Sequence, residues 1–403
     1  MFGAGLNASW ASTGLVPGDK AASSTQAPSG LRTEMRRLVS LGLCALISLV
    51  AFAALVVSGR AEERVVNVYN WTDYIDPAAI TRFEQETGIK VRYDVYDSLE
   101  TLEGKLLAGH SGYDVVVPTA EPTFSRLIRV GALAEIDRAA VPNWANLDAD
   151  MMRKVAAADP GNRHGAIYLW GTTGVGLNPA DVAAALPKAR EDSWDLLLKP
   201  ENARKLASCG IFMMDSATDV VPSVLHYLGK SPDSTNPADL EAVERALMAI
   251  RPFIRTFASG GALEALATGQ ACLALDYSGD VAQASARARE AGRGVAVRYV
   301  VPAEGGQLAF DMLAIPADAP HKDAALAFIN FLLRPDVMAG ITNATRYPNA
   351  VPASRPMIRP ELLVDPAVYP TQAEAARLFT VGPVPPTAQR QRTRMWARFK
   401  AGQ

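Results

Sequence analysis

Residues 65–96 read VVNVYNWTDYIDPAAITRFEQETGIKVRYDVY. The stretch opens with a β-rich run, passes Asp76 and Pro77, which suit the N-cap and the first position of a helix, and ends in a second β-rich run at 90–96. Gly88 lies between the helix and the second run, where it can end the helix. A strand, a helix and a strand in succession are typical of an open α/β sheet.

The same alternation continues along the chain. It predicts a helix at 99–108, a strand at 113–117 and a helix at 122–130. In an open α/β sheet, ligands bind at the carboxyl ends of strands, and two segments, 70–74 and 118–121, follow the first and third strands here. These two segments are therefore the first candidates for a binding site.

The sequence also predicts two lobes. Residues 166–178, AIYLWGTTGVGLN, have the extended, glycine-punctuated character of a chain that crosses between lobes, although a surface hairpin is an alternative interpretation. A second α/β region follows, in which we expect a helix at 322–333 and a returning crossover within the breaker-rich stretch 342–356. The predicted boundaries are 62–165 plus 290–341 for lobe 1, and 166–289 plus 342–403 for lobe 2.

The first 61 residues differ in character from the rest. Residues 1–34 are mostly small and polar, without an apolar face, and we expect them to be disordered or untranslated. Met35 and two arginines then precede an apolar run at 38–57, so residues 35–61 are typical of a signal peptide that begins at an internal methionine. The run is long enough to span a bilayer, and an uncleaved membrane anchor is the alternative.

Composition and motifs exclude several classes of function. A formal net charge of −2 over 403 residues provides no basic field for nucleic acid. The four histidines are scattered, and the sequence contains no Cys-x-x-Cys pair, no phosphate-binding or dinucleotide-binding glycine loop and no Gly-x-Ser-x-Gly nucleophile elbow. We therefore predict neither a metal nor a cofactor.

Export would leave two cysteines in the mature chain. Cys209 and Cys272 remain after cleavage at Ala61, and an even pair in an exported protein is a disulfide candidate. Two buried free thiols are the alternative.

Aromatic and acidic side chains gather at the predicted strand ends. They are Trp71, Asp73, Tyr74, Asp219, Tyr277, Asp280, Asp311 and Tyr347. An organic diamine requires such a mixture, because carboxylates bind ammonium groups while ring faces flank the apolar spacer. Asp311 is the most informative acid, since it interrupts an apolar strand predicted at 308–315, where an unpaired carboxylate is costly.

Each of these residues also has an ordinary structural explanation. Asp280 is suited to cap a helix at 281–290, and Asp219 to be an exposed acid in the first turn of a helix. Paired carboxylates also carry out glycoside hydrolysis, so a secreted carbohydrate-active hydrolase is an alternative function.

Longer runs of sequence decide between these interpretations. The runs are VYNWTDYI at 68–75, FEQETGIKV at 83–91, EGKL at 103–106, YDVVVP at 113–118, TTGVG at 172–176, DSWD at 192–195, LKPEN at 198–202, YLGK at 227–230 and FLLRPDV at 331–337. Together they closely resemble the putrescine- and spermidine-binding proteins of polyamine ABC transporters, and the resemblance covers nearly all of 65–400.

The resemblance implies a fold and a function. The fold is a periplasmic-binding-protein fold of the α/β class, in which two lobes joined by a hinge close on a ligand in the cleft between them. The implied function is to capture a polyamine such as putrescine or spermidine in the periplasm and to deliver it, chemically unchanged, to permease subunits in the inner membrane. We expect a monomer that is not an enzyme. A polyamine-sensing receptor without a transport role is the remaining alternative.

The resemblance also assigns the site residues. On lobe 1 they are Trp71, Thr72, Asp73, Tyr74, Thr119 and Glu121; from lobe 2 and the hinge come Asp219, Tyr277, Asp280, Asp311 and Tyr347. The acids are expected to pair with the ammonium groups, and the aromatic rings to box the methylene chain. Family members with cysteines at positions matching Cys209 and Cys272 join them, which supports the disulfide.

Six departures from the putrescine-binding branch concern specificity. The branch tends to have Trp where this chain has Tyr277 and Ser where it has Thr72 and Thr119, and three further departures change the size and charge of the cleft. That branch tends to have Glu where this chain has Asp219, an aromatic residue where it has Ala309, and Ser where it has Glu121. The first two changes enlarge the predicted cleft and the third adds negative charge. We therefore expect a longer or more highly charged amine to be admitted as readily as putrescine.

Overall fold

The computed structural model describes residues 64–258 and 261–403. The predicted N-terminal extension (1–34) and signal peptide (35–61) lie outside these residues. Within them, no single helix is long and apolar enough to cross a membrane. The helices at Lys322–Leu332 and Pro335–Thr345 reach that length and composition only as a pair bent by 78°, and much of their apolar surface is buried in the core.

The described chain is a mixed α/β fold. The strands are β1 (Val65–Trp71), β2 (Lys90–Tyr96), β3 (Val115–Val116), β4 (Gly165–Leu177), β5 (Ile211–Met213), β6 (Thr256–Phe257), β7 (Leu273–Tyr277), β8 (Arg298–Val300) and β9 (Gln307–Ala314). The helices are α1 (Pro77–Thr87), α2 (Leu99–Leu107), α3 (Ser125–Arg129), α4 (Ala149–Lys154), α5 (Pro179–Ala185), α6 (Asp195–Leu198), α7 (Pro200–Leu206), α8 (Ala217–Tyr227), α9 (Pro237–Ile250), α10 (Gly261–Ala267), α11 (Ser278–Ala291), α12 (Lys322–Leu332), α13 (Pro335–Thr345), α14 (Pro360–Leu363), α15 (Gln372–Ala375) and α16 (Pro386–Ala401).

The first strand-helix-strand unit forms as predicted. Asp76 caps α1 by accepting a hydrogen bond from the backbone N–H of Ala78 at 2.9 Å, and Pro77 occupies the first turn. Gly88 ends the helix in the left-handed conformation, with φ of 68°, which glycine adopts without steric cost. The helix predicted at 122–130 begins later, at Ser125 as α3, because the backbone at Glu121 is extended, with φ of −126° and ψ of 139°.

One long sheet runs through both lobes. Its strand order is β2-β1-β3-β9-β4-β7-β5-β6, and β8 pairs with β4 outside that path. β1 is parallel to β2 and β3, and β5 is parallel to β6 and β7, whereas β4 and β9 run antiparallel to their neighbours. The carboxyl ends of the two parallel groups therefore provide the loops from which a binding site can be built.

Strand β4 links the two lobes. Its first half pairs with β9, and Ala166 and Leu169 pack in a core with Val66, Val68 and other residues of lobe 1. Its second half pairs with β7 and β8, and Val175 packs in the core around α7 and α8. Residues 166–177 therefore lie in one strand that is shared by two cores, which excludes a surface hairpin; their role as the boundary between lobes stays a prediction.

Two segments pack differently from the predicted lobe boundaries. Residues 290–306 were expected in lobe 1, but β8 pairs with the second half of β4, and Tyr299 packs with α10 and α11 in lobe 2. Residues 342–351 were expected in lobe 2, but Tyr347 and Val351 pack in the core of lobe 1. In both places, hydrophobic packing indicates that the chain passes from one lobe to the other later than the sequence predicted.

A disulfide joins Cys209 to Cys272, with Cα atoms 5.5 Å apart. It ties the loop after α7 to the start of β7, within lobe 2. The predicted pairing is confirmed, and the alternative of two free thiols is wrong.

Candidate ligand-binding site

A cavity lies between the lobes and contains about 640 Å³ of space free of protein atoms, open solvent at its mouth included. Its walls are Trp71, Thr72, Tyr74, Tyr96, Asp97, Thr119, Gly171, Asp219, Tyr277, Asp280, Ala309, Asp311 and Tyr347. They come from the carboxyl ends of β1, β2, β3 and β7, from the first turns of α8 and α11, from β4 and β9, and from the segment after α13.

The structure brings nine of the eleven predicted site residues to this cavity. The two that do not line it are Asp73 and Glu121. The prediction missed Tyr96, Asp97 and Gly171 as wall residues. Tyr96 and Asp97 follow the strand-end rule, because β2 is the parallel neighbour of β1 and ends at the same edge of the sheet.

Asp311 is held by two hydroxyl groups. Thr119 Oγ1 donates to Oδ1 and Tyr74 Oη donates to Oδ2, each at 2.6 Å. Burial raises the pKa of Asp311 to about 6, although the two hydrogen bonds oppose that rise. Both partners are neutral, so the carboxylate keeps its charge available for a cation.

Asp280 faces the cavity from the first turn of α11. Tyr347 Oη donates to Oδ1 at 2.9 Å, and burial raises the pKa of Asp280 to about 6. The helix begins at Ser278 with Tyr277 as its N-cap, so Asp280 is not the cap that the ordinary structural explanation supposed. Asp276 lies below it on β7, and burial, together with the charge of Asp280, raises the pKa of Asp276 well above its ordinary value.

Asp219 is a buried acid with several partners. Its side chain is 4% exposed and accepts hydrogen bonds from the hydroxyl of Ser216, from Tyr277 Oη at 2.8 Å and from Gln307 Nε2 at 3.3 Å. Burial raises the pKa of Asp219. The expectation of an exposed first-turn acid is wrong, because the start of α8 is covered by β7 and β9.

Aromatic rings from both lobes flank the cavity. The ring of Trp71 lies 6.3 Å from that of Tyr277 on the facing lobe and 4.7 Å from that of Tyr96. Hydrogen bonds from Trp71 Nε1 and Tyr96 Oη to the carbonyl oxygen of Val117 hold both side chains. The rings of Tyr74 and Tyr347 pack edge to face at 4.7 Å. The cavity thus has rigid aromatic walls between its carboxylates.

The two remaining predicted residues lie nearby. Asp73 has φ of 53° and turns its carboxylate toward Arg287 of α11, with Oδ2 and Nη2 3.1 Å apart. Glu121 accepts a hydrogen bond from Ser125 Oγ at 2.5 Å and lines a smaller neighbouring cavity. A direct role for either residue in ligand binding stays a prediction.

The ionisable side chains that line the cavity are all acidic among the described residues. Four aspartates, Asp97, Asp219, Asp280 and Asp311, line it, and no Lys, Arg or His does so among the described residues. Such a site attracts a cation, and its aromatic walls favour one with an apolar body. Residues 64–258 and 261–403 contain no group of three or more His, Cys, Asp or Glu side chains placed to hold a metal ion.

A family model described as "Bacterial extracellular solute-binding protein" matches residues 78–371, well over half of the chain. The chain belongs to this family. A member of the family binds a solute outside the cytoplasm, and its two lobes account for the cleft described above.

Relatives of this solute-binding protein extend over most of its length. It is 46% identical over 343 residues to the putrescine-binding periplasmic protein SpuD of Pseudomonas aeruginosa, covering 85% of this chain and 93% of the relative. It is 45% identical over 362 residues to the putrescine-binding periplasmic protein PotF of Escherichia coli, covering 89% and 98%. A solved structure, a putative spermidine/putrescine ABC transporter protein from Listeria monocytogenes, matches with a TM-score of 0.76 at 28% identity, covering 84% of this chain and all of that one.

Proposed function

We propose that this solute-binding protein captures a polyamine in the periplasm and delivers it to the permease of an ABC transporter. The observation that carries the proposal is the cavity with four aspartates, aromatic walls and no lining base among the described residues. The names of its relatives support the same ligand class, since two of them are putrescine-binding periplasmic proteins.

The geometry explains how a diamine would be held. Asp311 and Asp280 each have lone pairs that their hydroxyl partners leave free, and each can accept hydrogen bonds from an ammonium group. Trp71 and Tyr277 would flank the methylene chain from opposite lobes. Two to four charged hydrogen bonds of about 1.5–3 kcal/mol each, with cation–π contacts of about 0.5–2 kcal/mol, suffice for roughly micromolar affinity after ordering costs.

No chemical step follows from this arrangement. The family consists of binding proteins, so the hydrolase alternative is set aside. Transport and sensing share the same pocket, and uptake separates them: cells that lack the protein should lose import of labelled putrescine if it serves a transporter. We further propose that residues 35–61 direct export and that the mature protein is a monomer.

Thermal unfolding of residues 62–403, stripped of copurified ligand, tests the ligand class. A ligand that binds only the folded form raises the unfolding midpoint by mass action. We expect a rise with one or more of putrescine, cadaverine, spermidine, spermine and agmatine, and none with amino acids or sugars. No shift with any amine, together with a shift from another solute, would overturn the proposal.

A further inference from the structure

A second cavity adjoins the candidate binding site. We call it the annex and define it by Glu121, Asp233, Gln307 and residues 380–383. Thr119 and Ala309 line both cavities, so these two residues form the boundary between them. Because the side chain of Ala309 ends at Cβ, it fills little of the space that separates the two cavities.

Two buried acceptor oxygens of the annex have no hydrogen-bond partner among the described residues. Gln307 is 3% exposed; its Nε2 donates to Asp219 Oδ1, and its Oε1 is unpaired. Glu121 Oε2 accepts from Ser125, and its Oε1 is buried and unpaired. A buried acceptor without a donor costs free energy, so both oxygens favour a donor-bearing ligand in the annex.

The charge of the annex favours a cationic donor. Glu121 and Asp233 are both acidic, and the one lining base, Lys154, is exposed to solvent. Burial raises the pKa of Glu121 and the nearby charge of Asp233 adds to that rise, while the hydrogen bond from Ser125 and the charge of Arg129, which does not line the annex, oppose it. An ammonium group would offset both effects, because it supplies donors and a positive charge together.

We propose that the annex receives the terminal ammonium group of a linear triamine whose other two nitrogens occupy the main cavity. This inference rests on the proposed function. The ammonium group has three N–H donors, and Glu121 Oε1 and Gln307 Oε1 provide two unpaired acceptors for them. The methylene chain of the triamine passes Ala309, and a larger side chain at this position would block the passage between the two cavities. A diamine is short enough to leave the annex empty.

Three ligands and two variants test the proposal by calorimetry. The ligands are putrescine, spermidine and N-propylputrescine, which is spermidine with its terminal ammonium group replaced by hydrogen. The variants are Glu121→Gln, which keeps the acceptor for Ser125 and removes the charge, and Glu241→Gln, which removes an exposed charge on α9. The quantity compared is the ratio of the spermidine to the N-propylputrescine affinity.

In the unmodified protein and in Glu241→Gln we expect that ratio to be about ten or more, as one charged hydrogen bond in a buried site would give. In Glu121→Gln we expect it to fall to within about threefold of unity. A ratio near one in the unmodified protein overturns the proposal without needing any variant, and so does a high ratio that survives Glu121→Gln. If none of putrescine, cadaverine, spermidine, spermine and agmatine binds, the proposed function itself is wrong; if putrescine binds but the ratio is one, only the annex is wrong.

Discussion

Under the proposed function, recognition of a cation depends on Asp280 and Asp311. Each is buried, and each accepts its hydrogen bonds from tyrosine or threonine hydroxyls, without a basic partner. A buried carboxylate without a counter-ion is unfavourable, which is why the pKa of both groups is raised to about 6. An ammonium ligand would supply the missing counter-ion, so we expect the binding energy to be concentrated at these two side chains.

Removing either charge should weaken binding and spare the fold. We expect Asp280→Asn and Asp311→Asn each to cost roughly 2–5 kcal/mol of binding free energy, because an ammonium group loses its charged partner. The unfolding midpoint of the ligand-free protein should not fall, since each change removes a buried charge and leaves hydrophobic contacts intact. Calorimetry with putrescine measures the first effect, and Asp323→Asn, an exposed acid on α12, is the matched control. Unchanged affinity in both variants would refute the site assignment.

Binding should weaken as the pH falls through about 6. Below that pH, Asp280 and Asp311 are protonated in the free protein, and a cation must displace those protons to bind. We expect about a tenfold loss of affinity per pH unit for each carboxyl that must release its proton. Calorimetry at pH 5 and pH 7.5, in buffers of different ionisation enthalpy, measures both the loss and the protons released. Equal affinity at the two pH values would contradict the expectation.

The stability of the ligand-free protein should depend on pH in the opposite direction to the affinity for the ligand. The pKa of each group in the folded protein is raised above its ordinary value, so the folded, ligand-free protein binds the proton more tightly than the unfolded chain does. The stabilisation from these groups is full below the ordinary pKa of an aspartate and is lost as the pH rises through about 6. The ligand-induced rise in the unfolding midpoint should therefore be larger at pH 7.5 than at pH 5.

At the scale of elements, β4 and α11 meet around one tyrosine ring. A Cβ atom at Gly171 of β4 would lie 2.9 Å from the ring of Tyr347, and one at Gly279 of α11 would lie closer still. Only glycine at these positions lets the ring reach the first turn of α11, where its hydroxyl donates to Asp280. The backbone of two elements thus positions the acid that faces the cavity.

A salt bridge joins the loop after β1 in lobe 1 to α11 in lobe 2. Arg287 pairs with Asp73 across the cleft and also with Glu264. The side chains are 39% and 51% exposed, so the contribution is that of a surface pair, at most about 1 kcal/mol. We expect Arg287→Met to speed ligand dissociation by no more than about fivefold, because the two lobes lose one contact between them.

Stopped-flow dissociation rates measure this effect. Arg163→Met is the matched control, since Arg163 pairs with Glu135 within lobe 1 and should leave the rate unchanged. Asp73→Asn should act like Arg287→Met, and the double variant should add nothing further. Additive effects of the two changes would mean that the pair does not act as one contact.

At the scale of the whole molecule, the disulfide and the ligand cleft are separate. Cys209 and Cys272 lie within lobe 2, and neither lines the cavity. We expect the double change Cys209→Ser and Cys272→Ser to lower the free energy of unfolding by about 4 kcal/mol, the loop-closure value for a sequence separation of 63 residues. Denaturant unfolding measures the loss, and putrescine affinity should stay within about twofold. A stability loss below about 1 kcal/mol would contradict the estimate.

The sequence by itself determined the local elements. The bounds of α1 and β2 follow from Asp76, Pro77, Gly88 and the β-rich run, because caps and turns act between residues close in the chain. It also pointed to nine of the residues that line the cavity, through runs that resemble a known family.

Tertiary structure decided what depends on contacts between distant residues. Asp311 and Tyr74 are 237 positions apart in the sequence. The hydrogen bond between them brings the loop after β1 and strand β9 together in one site. The lobe boundaries, the burial of Asp219 and the exclusion of Asp73 and Glu121 from the main cavity likewise depend on which surfaces pack together. Hydrophobic packing is non-directional and has no fixed spacing along the chain, so no local pattern records it.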